Sequence, residues 1–293
     1  MSMILSPYEV QQLERLQRWQ QQSPGWGSRL MAKPGGKVAQ AVQALIPEDA
    51  LRAALDGVSR LAEKLADERA ILKRAGVNEL SALREGELSH CDALMRSEQR
   101  RAMALAGVGG AAFGVAGATG MVADIPALIA LSLRTIQRVS LCYGDPGSNE
   151  MRRRLSIGVF ALASANSAEE KRSALVALRS FDQSALQAAA WRDGVERVAE
   201  RELTKEATVF SLKNLAQRLG IHLGKRKAAG AVPVVGALVG SSVNAWYLYD
   251  LAQVARYVFQ ERWLIARYPQ APQILAIQPA ISDDTAVLQA PDS

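Results

Sequence analysis

The stretch that decides the fold is residues 107–126, GVGGAAFGVAGATGMVADIP. It contains six glycines, has no charged residue before Asp124, and ends in Asp124-Ile125-Pro126. Glycine interrupts helices and lets a second backbone approach closely, whereas proline favours the first turn of a helix. We therefore expect a close-packed helical element here, with Asp124 as the N-cap of a helix that Pro126 begins.

The same composition recurs later in the chain. Residues 102–123 and residues 228–249 each contain 22 consecutive uncharged side chains. Each run follows basic residues and leads into a helix that carries an arginine, Arg134 or Arg256. We interpret the two runs as an imperfect internal repeat.

Each uncharged run carries two glycines that are four positions apart, a spacing that places both on one helix face. These glycines are Gly110 and Gly114 in the first run, and Gly236 and Gly240 in the second. The runs are long enough to span a bilayer, but their many Gly, Ala, Ser and Thr residues insert less favourably than Leu or Ile. We expect each run to form a helical hairpin or broken helix packed near the centre of the protein.

The rest of the chain favours an all-α protein. Of its 293 residues 49% are hydrophobic and only 5% aromatic, and apolar residues recur at intervals of three and four. Ser6, Pro7 and Glu9 predict a capped helix start, and further helices are expected at about 149–165, 168–187 and 188–219. We expect one helical domain over residues 1–268 and a loosely ordered tail over residues 269–293.

The formal net charge of +6 favours an anionic partner. Basic side chains precede both uncharged runs: Arg100, Arg101, Lys213, Arg218, Lys225, Arg226 and Lys227. A basic cluster beside an apolar element suits lipid headgroups, and the aromatic residues Trp246, Tyr247, Tyr249, Tyr257 and Trp263 suit either an interface or a core. We interpret these aromatic residues as core.

Motifs that would indicate chemistry are weak. His90-Cys91-Asp92 contains metal-binding residue types, but adjacent helical residues point in different directions, so we expect structural roles for them. The glycines at 107–110 follow a polar helix rather than a strand, which argues against a dinucleotide site. We expect no cofactor and no metal, and a binding protein rather than an enzyme.

Asp124 is the one weak catalytic candidate, because a carboxylate between apolar runs is costly unless it has a partner. It could cap a helix, pair with Arg134, or contact a ligand. Asn244 occupies a comparable place in the second run, where a polar amide also needs hydrogen bonds. The three interpretations of Asp124 remain open at the level of sequence.

Residues 107–144 resemble the signature region of the EcsC protein family, in which a glycine-rich stretch leads into Ala-Asp-Ile-Pro, a Leu-rich helix with an arginine, and a Tyr-Gly turn. Residues 224–264 are similar to that family's C-terminal region, with Lys before Val-Pro-Val-Val-Gly and an Asn soon after. The resemblance implies a helical fold and membrane association. It supplies no catalytic mechanism.

We expect the protein to bind the membrane surface peripherally, at its cytoplasmic face, or to hold a hydrophobic small molecule between the two runs. Two alternatives are an enzyme that acts on a lipid or amphiphile through Asp124, and an adaptor that binds another protein. Nucleic acid is not expected as a partner. The residues expected to contact ligand are Gly110, Gly114, Asp124, Arg134, Gly236, Gly240 and Asn244.

Overall fold

The computed structural model describes residues 5–23, 66–115, 117–165, 167–188, 233–268 and 271. For residues 107–115, 117–128, 149–150, 180–188 and 233–244 it describes the backbone alone. Within these ranges the chain forms helices and no strand, which confirms the all-helical prediction. In chain order the helices are α1 (Pro7–Gln21), α2 (Glu68–Ala75), α3 (Leu80–Glu85), α4 (Leu88–Val115), α5 (Gly117–Cys142), α6 (Asn149–Ala163), α7 (Ala168–Ala188) and α8 (Pro233–Arg267).

Several predictions fall outside the described residues. These are the helix expected over most of residues 188–219, the basic side chains of the segment 211–227, and nearly all of the tail from residue 269. The predicted helices at 149–165 and 168–187 are confirmed as α6 and α7, within two residues at each end.

Helix α1 begins as the sequence predicts. Ser6 adopts an extended backbone and its hydroxyl accepts a hydrogen bond from the Glu9 amide, while the Ser6 amide donates to the Glu9 carboxylate at 2.7 Å. Pro7 occupies the first turn, where its missing N–H has no intrahelical partner to lose. The reciprocal bonds satisfy two backbone donors that the helix start would otherwise leave unpaired.

The first uncharged run is divided between two helices. Residues 102–115 belong to α4 and residues 117–123 belong to α5. Because α5 begins at Gly117, Asp124 lies in the helix interior and the prediction that it caps a helix is wrong. Pro126 also lies inside α5, where it removes one backbone hydrogen bond without ending the helix.

The second uncharged run enters a single helix. Pro233 is the first residue of α8, a position that favours proline because the N–H that proline lacks would have no partner there. The helix is 35 residues long. Neither the hairpin nor the broken helix expected for this run occurs within residues 233–249.

Helices α4, α5 and α8 form the centre of the described structure, with α6 packed on α5 and α8, and α7 on α6. Their facing side chains are fully buried, among them Met95, Leu133, Ile136, Leu248 and Phe259. Helix α5 ends in the Tyr-Gly turn that the family resemblance implies, where Gly144 adopts a left-handed φ of 63°. In that turn Asp145 accepts two hydrogen bonds from Arg262, at 3.1 and 2.9 Å, which tie the α5–α6 turn to α8.

Candidate functional site

Helices α4 and α8 run antiparallel, in a register that side-chain contacts define. The Gln99 amide donates to the Tyr249 carbonyl at 3.1 Å and accepts from Gln253 at 3.3 Å. About two turns earlier on α4, Asp92 contacts residues 256 and 260. Since both helices rise by about 1.5 Å per residue, the same register places Gly110 level with Gly240 and Gly114 level with Gly236.

One half of this helix pair is built around Asp92, a fully buried carboxylate on α4. The hydroxyls of Tyr8 and Tyr143 each donate to it at 2.5 Å. Arg256 donates through Nη2 at 2.9 Å, and the Gln260 amide donates to both carboxylate oxygens at 3.0 Å. Asp92 thereby joins α1, α4, α8 and the turn after α5.

The charges in this cluster determine how its amides are oriented. Arg256 can only donate, so Gln12 presents its oxygen to Arg256 Nη2 at 2.8 Å. Asp92 can only accept, so Gln260 presents its nitrogen. This leaves Gln12 Nε2 and Gln260 Oε1 without hydrogen-bond partners among the described residues, although both side chains are fully buried.

The same environment shifts the pKa values of Tyr143, Arg256 and Cys91. Burial, followed by the charge and hydrogen bond of Asp92, raises the pKa of Tyr143 well above its ordinary value. Burial alone would lower the pKa of Arg256, but the hydrogen bond and charge of Asp92 raise it. Burial raises the pKa of the Cys91 thiol to about 12, which keeps it protonated and poorly nucleophilic. The groups around Asp92 therefore act as a structural cluster.

Sequence reasoning considered Asp92 only beside His90 and Cys91, and missed this role. The available signal was its position, because Asp92 shares one helix face with Leu88 and Met95, which are both buried. A carboxylate on a buried face requires a partner, and the partners come from distant parts of the chain.

The other half of the α4–α8 pair carries no charge, and exposed apolar side chains lie where it begins. Leu105 on α4 is 51% exposed, and on α8 Trp246 is 37% and Tyr249 42% exposed. The register places these three side chains at neighbouring levels, beside the exposed Arg100 and Arg101 of α4. The interpretation of the aromatic residues as core is thus wrong for Trp246 and Tyr249, whereas it is right for the buried Tyr247 and Trp263.

Side chains of two arginines join α4 to α2 and α5. Arg138 of α5 donates to the buried Glu98 carboxylate at 2.7 Å and to the Ala66 carbonyl. Arg74 of α2 contacts the second oxygen of Glu98. The contacts of Arg138 with Glu98 and of Tyr143 with Asp92 set an antiparallel register for α4 and α5, which places Arg134 level with Arg101.

The other predicted ligand residues are located only by their backbones. Gly110 and Gly114 lie in α4, Asp124 in α5, and Gly236, Gly240 and Asn244 in α8. Asp124 and Arg134 are ten residues apart on one helix, a separation of about 15 Å that rules out a direct ion pair. The side chains of Asp124 and Asn244, and the whole of Lys213, Arg218, Lys225, Arg226 and Lys227, lie outside what the structure describes.

Two further properties concern the described residues only. No three side chains of His, Cys, Asp or Glu among them converge as metal ligands would. No helix in the described ranges combines the length and apolar character needed to cross a membrane.

Comparisons with known proteins place the chain in a family. It is 28% identical over 194 residues to a protein of Bacillus subtilis (strain 168) named "Uncharacterized protein YdbA". The match covers 64% of this chain and 63% of that protein, so this chain spans less than two thirds of its relative's length. No solved structure matches. The sequence model of the EcsC protein family matches residues 10–264, and the chain therefore belongs to the EcsC protein family.

Proposed function

We propose that this protein binds peripherally to anionic membranes through the uncharged end of the α4–α8 pair, which consists of residues 102–115 of α4 and 233–245 of α8. The observation that carries this function is a set of exposed side chains at neighbouring levels where the uncharged end begins. Trp246, Tyr249 and Leu105 are exposed there beside Arg100 and Arg101. Aromatic rings favour the headgroup region, and arginines next to it attract anionic lipids.

The dimensions of the uncharged end support insertion into one leaflet. Residues 102–115 of α4 and 233–245 of α8 carry no charge, and each extends for about 20 Å. One leaflet contributes about 15 Å of hydrocarbon, half the thickness of the bilayer core. A helix end of this length can enter the headgroup and upper acyl region without spanning the bilayer.

The opposite end of the α4–α8 pair, which contains Asp92 and Arg256, supports an orientation with the uncharged end toward the membrane. The Asp92–Arg256 ion pair and its hydrogen bonds hold α4 and α8 together at the end that would face water. In the uncharged end the register puts Gly110 level with Gly240 and Gly114 level with Gly236, and glycines at matching levels would let two helices approach closely without polar contacts. The helix pair can therefore place one end in an apolar phase while the other end keeps it assembled.

Flotation with vesicles tests this function. The protein is mixed with phosphatidylcholine vesicles that contain or lack phosphatidylglycerol, at low and high salt. We expect it to float with the anionic vesicles and to release as salt rises, because screening weakens the headgroup attraction. Trp246→Ala with Tyr249→Ala should weaken binding about tenfold through lost apolar burial, and Arg100→Glu should do so through charge.

Val176→Ser is the matched control, because Val176 is 54% exposed but lies on α7, away from the uncharged end. It should float as the wild type does. Replacing Lys225, Arg226 and Lys227 by alanine tests the predicted basic segment separately. If the wild type stays at the bottom of the gradient with every vesicle, peripheral membrane binding is excluded.

A further inference from the structure

Two side-chain amides in the Asp92 cluster each use only one of their two polar atoms. Gln12 of α1 accepts from Arg256 through its oxygen at 2.8 Å, and Gln260 of α8 donates to both oxygens of Asp92 through its nitrogen at 3.0 Å. Gln12 Nε2 and Gln260 Oε1 have no hydrogen-bond partner among the described residues, and both residues are 0% exposed. The cluster thus buries one unpaired donor and one unpaired acceptor.

Turning either amide over would not remove this mismatch. A reversed Gln12 would place its NH₂ group against Arg256, which can only donate, and a reversed Gln260 would place its oxygen against the carboxylate of Asp92, which can only accept. The ion pair therefore determines that the unpaired atom is a donor on Gln12 and an acceptor on Gln260. Buried polar atoms of this kind are almost always hydrogen-bonded in folded proteins.

The two amides are close neighbours in the network. Arg256 Nη2 contacts Gln12 Oε1 at 2.8 Å and Asp92 Oδ2 at 2.9 Å, and the same Asp92 oxygen accepts from Gln260 Nε2 at 3.0 Å. Only the contact between Asp92 and Arg256 therefore separates them. A small molecule bound beside this ion pair can reach both amides.

A ligand for these two atoms must accept one hydrogen bond and donate another. An inorganic anion would satisfy only Gln12, and a metal cation would satisfy only Gln260. Water does both, and a folded protein contains about one buried water per 27 residues, each with two to four polar partners. The Tyr143 hydroxyl, which donates to Asp92, keeps lone pairs that can accept the second water hydrogen.

We propose that the Asp92 cluster contains an internal water site between α1 and α8, with Gln12 Nε2 as its donor and Gln260 Oε1 as its acceptor. Such water joins α1 to α8 through a contact that the two amides do not make directly. Because both amides are fully buried, the water can leave only when α1 separates from α8, so it stays bound far longer than surface water. The site does not depend on the proposed membrane function.

Nuclear Overhauser effects between water and side-chain amide hydrogens test this site in the full chain. Water that stays bound longer than the protein takes to rotate gives effects of opposite sign in the laboratory and rotating frames, which distinguishes it from surface water and from hydrogen exchange. We expect the Gln12 amide hydrogens to show this pattern. Gln11, which is exposed on the same helix, is the control and should show surface water only.

Gln260→Met tests whether the water joins the two amides. Methionine keeps the length of the side chain and removes the acceptor, so the effect of bound water at Gln12 should be lost. Gln11→Met should leave that effect unchanged. A Gln12 amide without bound water in the wild type overturns the site, and so does a bound-water effect that survives Gln260→Met. If Gln260→Met does not fold, the comparison of Gln12 with Gln11 in the wild type still decides whether water is bound.

Discussion

Asp92 and Arg256 lie 164 residues apart in the sequence and form a buried ion pair with an Oδ2–Nη2 distance of 2.9 Å. This ion pair joins α4 and α8, the two longest helices of the described structure, at the end opposite their uncharged residues. Tyr8, Tyr143 and Gln260 also donate to the same carboxylate, so a single side chain accepts hydrogen bonds from four others. The position of α1 and of the turn after α5 thus depends on one charge.

Replacing the Asp92 carboxylate should lower the free energy of unfolding more than any other single substitution in the half of the α4–α8 pair that contains Asp92 and Arg256. Asp92→Asn removes the charge that balances Arg256 and gives Tyr8, Tyr143 and Gln260 a poorer acceptor. Breaking a buried pair while leaving one charge in place costs about 3–5 kcal/mol. Urea unfolding followed by circular dichroism measures the loss.

The matched control for Asp92→Asn is Glu14→Gln, on the exposed side of α1. Its effect should stay within about 0.5 kcal/mol, as is usual for surface positions. If Asp92→Asn is equally mild, the ion pair does not hold the helices together.

The turn after α5 offers a second test, because its glycine is required by both conformation and space. Gly144 has a φ of 63°, and a Cβ there would collide with the Leu80 carbonyl and lie 2.7 Å from the Arg84 amide. Both neighbours are backbone atoms of α3 that cannot move aside. Gly144→Ala should therefore cost more than the 1–2 kcal/mol or so of left-handed strain alone.

Gly76→Ala separates the two causes in that prediction. Gly76 has a similar φ of 70°, but a Cβ there would meet no atom within 4 Å. Its substitution should lower the free energy of unfolding by about 1–2 kcal/mol, from strain only. Equal losses at the two glycines, measured by thermal unfolding, would mean that α3 yields to the added methyl group.

The ends of several helices could be predicted because their signals are local. Ser6 and Glu9 lie within one turn of each other, and their reciprocal hydrogen bonds need no help from the rest of the chain. Gly144 likewise ends α5 through its own backbone freedom. Such signals act over three or four residues, which is the range that sequence patterns report.

The start of α5 could not be predicted in this way. Asp124-Ile125-Pro126 has the local form of a helix start, yet α5 begins at Gly117. Packing of α5 against α4 and α8 outweighs the lost hydrogen bond of Pro126 and the low helix propensity of glycine. Tertiary contacts therefore decided a boundary that local propensity had placed elsewhere.

The polar contacts of the candidate site were beyond sequence reasoning for a related reason. Arg134 was considered as a partner for Asp124 on the same helix, whereas the structure places it beside Arg138 and level with Arg101. The antiparallel registers of α4 with α5 and α8 determine these neighbours, and a single sequence contains no direct signal of register.

Lys171 provides a prediction that depends on pH. Its side chain is buried against the C-terminal end of α1, where Nζ donates to the Gln22 carbonyl at 2.8 Å and to the Trp19 carbonyl. The same nitrogen lies 4.2 Å from the centre of the Trp19 ring, which stacks on Tyr257. Burial lowers the pKa of Lys171 from 10.5 to about 8.

Because this pKa is lower in the folded protein than in the unfolded chain, the unfolded chain holds more protons between about pH 8 and 10.5. Stability contributed by Lys171 must then rise with pH across that window, by at most about 1.4 kcal/mol per pH unit. The neutral amine still donates to both carbonyls, so the contact with α1 persists. Subtracting the unfolding free energy of Lys171→Met from that of the wild type, at each pH, isolates this contribution from other titrating groups. The difference should increase above about pH 8. The same subtraction for Lys73→Met, at an exposed position, should not change with pH. A Lys171 difference that is constant or falls with pH would show that the buried amine keeps its proton.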